Sequence, residues 1–165
     1  MLKKIVTILT LLYAANSYAQ NYVLKNEILI FSFDTKNGKH MTIAKDTANK
    51  YIIYRFGTKS KVEFEFPGKT KNSWAQFKYS FYLRGGGIQN EGMDLNYFRF
   101  SKNNFKYVVY DTYYANGNKN EIGIRVTDIN TNKTTDIKGN YKTRKGTFID
   151  FRDNKLVEID DELID

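Results

Sequence analysis

Phe77-Lys78-Tyr79-Ser80-Phe81-Tyr82-Leu83-Arg84 sets a large apolar or aromatic side chain at every second position for eight residues. In an extended strand, side chains point alternately to the two faces, so this run has one oily face and one polar face. The same period recurs in Val62-Glu63-Phe64-Glu65-Phe66 and in Ile122-Gly123-Ile124-Arg125-Val126-Thr127. Half-buried antiparallel strands carry this pattern. Further strands are expected at 28–33, 41–44, 51–56, 95–100, 105–114, 134–138, 147–151 and 156–159, all rich in Tyr, Phe, Val, Ile and Thr.

The segments between these runs are short and turn-forming: Asn37-Gly38, Gly57-Thr58-Lys59-Ser60, Asn103-Asn104, Asn116-Gly117-Asn118 and Asn130-Thr131-Asn132-Lys133. Asn and Gly tolerate the left-handed backbone that tight hairpins demand. Consecutive strands joined so briefly pair with each other. The expected fold is therefore all-β, an antiparallel meander of about 8–10 strands forming a barrel or a sandwich. Little helix is expected beyond one short turn near Ala44–Lys50. Pro67, the only proline, ends the Val62–Phe66 strand, where its missing N–H does least harm.

The first nineteen residues differ from all this. Lys3-Lys4 precede an apolar run from Ile5 to Ala15, and Ser17-Tyr18-Ala19 places small residues at the two positions a signal peptidase reads. Residues 1–19 are expected to be a cleaved signal peptide, with a single β domain at 20–160 and an acidic tail at 161–165. The apolar run is too short to span a bilayer, which takes roughly 20 residues, so no integral membrane segment is expected in the mature chain. Secretion or a periplasmic location follows. An exported domain could use disulfides, but the chain has no cysteine. Twelve Phe, the eleven Tyr beyond the leader and one Trp must then supply the core.

Beyond the leader, 24 Lys and Arg stand against 18 Asp and Glu, a net of +6. Five of those acids crowd the last eight residues, leaving residues 20–157 with 24 bases against 13 acids, a net of +11. Such a body attracts anionic partners. Export turns that attraction away from nucleic acid and toward an exported protein or an anionic envelope glycan.

Chemistry-bearing motifs are few. His40 is the only histidine and sits beside an Asn-Gly turn, which predicts an exposed, incidental residue. Asp128, Asn130 and Asn132 have the spacing that opens a calcium loop, but Lys133 and Gly139 stand where its glycine and glutamate belong. No metal or cofactor is expected. Glu63 and Glu65 share one strand face roughly 7 Å apart, near the separation of glycosidase carboxylates. They define an alternative reading, a carboxylate-dependent cell-wall glycan hydrolase. A structural or adhesive envelope protein is a third.

The main expectation is a non-enzymatic binding protein, inhibitor-like or immunity-like, acting through loops. Its site is expected at Tyr82, Arg84, Gly85, Gly86, Gly87 and Tyr97. Three consecutive glycines exceed what a simple hairpin needs, and an arginine fork beside them suits an oxyanion. In export, size and strand density the chain is similar to the small bacterial lysozyme inhibitors. Tyr54-Arg55-Phe56-Gly57 resembles part of the Tyr-x-Cys-x-x-Gly signature of one such group, with the cysteine missing and the glycine early. No functional residue carries over from that likeness.

Overall fold

The computed structural model describes residues 22–162. The expected signal peptide and the last three residues of the acidic tail lie outside the described residues. Two meanders follow one another. β1 (Glu27–Asp34), β2 (Lys39–Asp46), β3 (Ile52–Thr58) and β4 (Lys61–Phe66) form the first, all antiparallel. β5 (Lys78–Arg84), β6 (Met93–Lys102), β7 (Phe105–Tyr114), β8 (Lys119–Asp128) and β9 (Thr134–Lys138) form the second. The chain then returns to the first sheet, where β10 (Lys145–Gly146) pairs with β1. Finally β11 (Glu158–Ile159) adds to the edge of β5, parallel to it. The sheets read β10-β1-β2-β3-β4 and β11-β5-β6-β7-β8-β9.

This is a sandwich and not a closed barrel. The two sheets exchange main-chain hydrogen bonds at one corner, where Thr35 bridges Gly139 and the Asn140 amide donates to the Asp34 carbonyl at 2.7 Å. The edge strands β4 and β9 face no ladder partner across the gap. The parallel β11 also departs from a purely antiparallel plan.

Alternation fixes which face goes in. Phe31, Ile43, Tyr54 and Phe66 share one row across the first sheet, and Phe33, Met41, Phe56 and Phe64 the next. Phe98, Phe100, Val109 and Ile124 face them from the second sheet. Ring contacts cross the interface: Phe66 stacks on Phe100 with centroids 4.7 Å apart, and Phe64 on Tyr107 at 5.4 Å. Each such ring buries large apolar area, so aromatic packing does the work that disulfides do in many exported domains.

One expectation changes in the returning segment. Residues 147–151 were expected as a strand. Instead Ile149–Arg152 is a 3-10 turn, and Phe148 and Phe151 both insert into the core. A 3-10 turn eclipses residues three apart, which places both rings on one side; the apolar spacing fits that turn as well as it fits a strand. Near Ala44–Lys50 the chain makes a turn and not a helix, within the one short turn expected there. β2 runs on to Asp46, whose carboxylate caps the following turn through the Ala48 and Lys50 amides at 3.0 and 3.3 Å. Elsewhere the described residues hold only short 3-10 segments, and the longest of them, Lys71–Gln76, carries the chain between sheets; its Ser73 hydroxyl accepts the Ile52 amide at 2.9 Å. Among the described residues no helix is long and apolar enough to cross a membrane.

Val108 and Val109 are both buried, so β7 has apolar residues on both faces. Val108 joins Leu95, Tyr97 and Tyr110 in a second cluster on the side of the sheet opposite the main core.

Candidate functional site

The inward face of the second sheet changes character along its strands. The row Phe98–Val109–Ile124 is apolar. The next row is Asn96–Asp111–Ile122, and the one beyond is Asp94–Tyr113–Asn120. Polar side chains thus take core-facing positions on three neighbouring strands at the same level. The segment Tyr141–Arg152 lies opposite these rows, and its arginines meet the acids. Arg144 Nε donates to both Asp111 oxygens at 3.1 Å and its Nη2 donates to Oδ2 at 2.6 Å. Arg152 Nη2 donates to Asp94 Oδ1 at 2.5 Å and Asn96 Oδ1 at 2.9 Å, with its guanidinium 4.7 Å from the Phe81 ring centroid. The Tyr79 hydroxyl donates to Asn96 Oδ1 at 2.6 Å.

Around this floor lies a cleft of about 250 Å³, walled by Asp94, Tyr113, Asn120, Tyr141, Arg144 and Ile149. Burial lifts the Asp111 carboxyl above the usual carboxylate range; Arg144 pulls the other way and the neighbouring Asp94 adds to the rise. Sequence reading missed the whole constellation because its members are scattered from 79 to 152. A signal was present: Asn96 and Asp111 interrupt strongly apolar strands at core-facing positions, which a purely structural strand avoids.

The expected loop site lies at the same end of the sheet. Tyr82 and Arg84 lie on the outward face of β5, opposite Leu95 and Met93. The Arg84 guanidinium stands 6.0 Å from the Tyr82 ring centroid and 3.7 Å from Glu91 in its own loop. Gly86 and Gly87 take φ of +91° and +61°, so the backbone itself calls for glycine at both, while Gly85 has ordinary φ and open space around it. The loop closes on itself: the Gly92 amide donates to the Gly87 carbonyl at 2.7 Å, and the Asn90 side chain donates to the Gly85 carbonyl at 2.9 Å. Tyr97 lies on the same face as Tyr82 but is only 3 % exposed, within the Leu95–Val108–Tyr110 cluster. The accessible ring beside the loop is Tyr82.

The remaining candidates are committed to internal bonds. Glu63 accepts from the Lys39 ammonium at 2.9 and 2.7 Å, and Glu65 accepts from Arg55 Nε at 2.7 Å. Both do share the outward face. Asp128 caps the β8–β9 turn through the Asn130 and Thr131 amides at 2.9 and 3.2 Å. His40 is half-buried and not a free turn residue. Its Nδ1 lies 2.7 Å from Asp34 and its Nε2 3.0 Å from the Thr42 hydroxyl, with the Tyr22 ring edge-on at 4.6 Å. That order of groups resembles a nucleophilic triad, but Thr42 is 1 % exposed and has no approach for a substrate.

A second hollow holds Lys78, Arg99 and Lys106, met by Asp160 and by Glu162 of the tail. The chain is held against β5 as far as Glu162, where the Ser80 hydroxyl donates to the Glu162 carbonyl at 2.6 Å. No protein-family model, no curated protein and no solved structure matches this chain.

Proposed function

We propose that this protein is an exported recognition module, secreted or periplasmic, that performs no chemistry of its own. It holds an exported protein or an anionic envelope glycan through the end of the sandwich that carries the Gly85–Gly92 loop. One observation carries this reading. Of the ten large apolar side chains exposed among the described residues, six lie at that end: Tyr82, Leu83, Ile88, Tyr113, Tyr141 and Ile149. Ile88 is 72 % exposed and Leu83 59 %. Apolar groups concentrated at one end and set among Arg84, Asp94 and Arg144 have the make-up of a docking surface. The basic body adds long-range attraction for an anionic partner. The ion pairs that occupy Glu63 and Glu65 speak against the hydrolase alternative.

The test is capture of envelope components by the Leu83→Asp/Ile88→Asp double variant. Ile129→Asp serves as control, since Ile129 is also exposed but lies at the opposite end, beside the β6–β7 turn. Capture should fall at least about tenfold in the double variant and stay unchanged in the control, a difference of ~1.4 kcal/mol in affinity. Equal capture by all three proteins would sink the proposal.

A further inference from the structure

We propose that the cleft between Tyr113 and Tyr141 binds one neutral sugar ring. The inference rests on the reading that this end of the sandwich meets a partner, and it names the ligand chemistry.

Size comes first. At about 250 Å³ the cleft falls just below the ~300–1,000 Å³ of sites for drug-sized ligands, which suits a single ring. Charge narrows the choice. Asp94 and Asp111 are each matched by an arginine, so the site is neutral as a whole. An anion approaching Arg144 meets Asp111 already bound to it by three hydrogen bonds, and Asp94 on the same wall. A cation meets Arg144 and Arg152. Neither gains a free counter-charge.

The unused polar atoms then select the ligand. Arg144 Nη1, the Asn120 side-chain amide and Asp94 Oδ2 make no hydrogen bond among the described residues. They offer donors and acceptors side by side, which is what a hydroxyl needs, because it donates and accepts at once. A ring bearing adjacent hydroxyls matches that wall. The positions of Arg144 and Asp94 are held by the bonds to Asp111, Asn96 and Arg152 beneath them, so the wall is set before the ligand arrives. The aromatic complement is present too. Tyr113 and Tyr141 line the cleft and are 38 % and 41 % exposed, which leaves ring surface for the C–H face of a sugar. Arg144 stands 5.9 Å from the Tyr141 ring centroid and steadies it.

The experiment is a titration of the isotope-labelled protein, followed by amide chemical shifts. The probes are glucose, galactose, mannose, N-acetylglucosamine and, separately, inorganic phosphate. At least one sugar should give saturable shifts centred on Asp94, Tyr113, Asn120 and Arg144. Tyr141→Ala and Asn120→Ala change exposed side chains and leave the floor of the cleft in place; each should weaken that titration about tenfold or more. The Ile88→Asp variant should titrate as the parent does, so loss of partner capture and loss of sugar binding are read separately. Three results would each overturn the proposal: no sugar saturates, the shifts fall outside the cleft, or phosphate produces the same shifts. Persistence of the titration in both Tyr141→Ala and Asn120→Ala would do so as well.

Discussion

Arg55 has the most demanding position of any single side chain here. It projects from the outward face of β3, yet its side chain is only 2 % exposed. Its Nη1 and Nη2 donate to the two Glu27 oxygens at 2.6 and 2.7 Å, and Nη1 also donates to the Tyr22 carbonyl at 2.8 Å. The chain at Tyr22 is thereby strapped across the first sheet, with the Tyr22 hydroxyl donating to the Thr58 carbonyl at 2.6 Å. A charge this buried survives only when paired, and removing one partner strands the other. Arg55→Met should therefore lower unfolding stability by about 3–5 kcal/mol in urea titration. The double variant Arg55→Met/Glu27→Leu should recover most of that loss, because no buried charge is left unpaired and Glu65, the other partner of Arg55, has a side chain 40 % exposed to solvent; a double variant as unstable as the single would contradict this account. None of this was legible beforehand. Arg55 reads as an ordinary polar position in an alternating strand, and nothing local reveals that the chain at Tyr22 lies over it. By contrast the outward direction of Glu63 and Glu65 was legible, since alternation alone sets it.

At the level of the strands, the hairpins followed from the sequence with little error because their signals are local. Asn103 and Asn104 both take positive φ, 50° and 62°, in the two-residue turn between β6 and β7, as tight hairpins require. The pieces that escaped reading are those whose partners are distant. β10 is two residues long and exists because β1, more than a hundred positions earlier, offers an open edge. Gly146 makes that pairing possible: it takes φ of +78°, and a Cβ there would run into the Ile30 carbonyl. Gly146→Ala should cost about 1–3 kcal/mol and speed amide exchange along β1. Gly85→Ala is the contrast. Its backbone is ordinary and its surroundings are open, so stability should change by no more than about 0.5 kcal/mol. If both substitutions behave alike, the positive φ and the close approach at Gly146 are not what sets the edge. The polar rows that form the cleft were hidden for a related reason. Asn96 and Asp111 look anomalous one at a time, and only strand register brings them to one level.

For the molecule as a whole, acid is the natural probe. Burial pushes the Glu27 carboxyl up, but its bonds from Arg55, the Leu24 amide and Tyr51 outweigh this and hold it below its ordinary value. Asp34 is likewise lowered, by His40 and Lys59 against burial, and Glu162 by Lys106 and Arg99. A carboxyl whose folded value is depressed stabilises the fold above its unfolded value and loses that contribution as pH falls through the folded one. Asp111 has the opposite shift, so protonating it on the way down offsets a part of the loss. The net expectation is a falling urea midpoint between about pH 5 and about pH 2. The fall should be shallower in Arg55→Met/Glu27→Leu, which lacks the Glu27 carboxyl. A midpoint flat across that range would remove these ion pairs from the account of stability. The architecture has one more consequence, and it concerns time. β1 and β5 each open a sheet, and each waits on its far side for a strand, β10 or β11, that comes only near the end of the described chain. Phe148, Phe151 and Val157, which plug the core, arrive equally late. A chain delivered N-terminus first therefore carries two unpaired strand edges and an unplugged interior until residues 145–159 emerge. During that interval the open edges of β1 and β5 are vulnerable to edge-to-edge association.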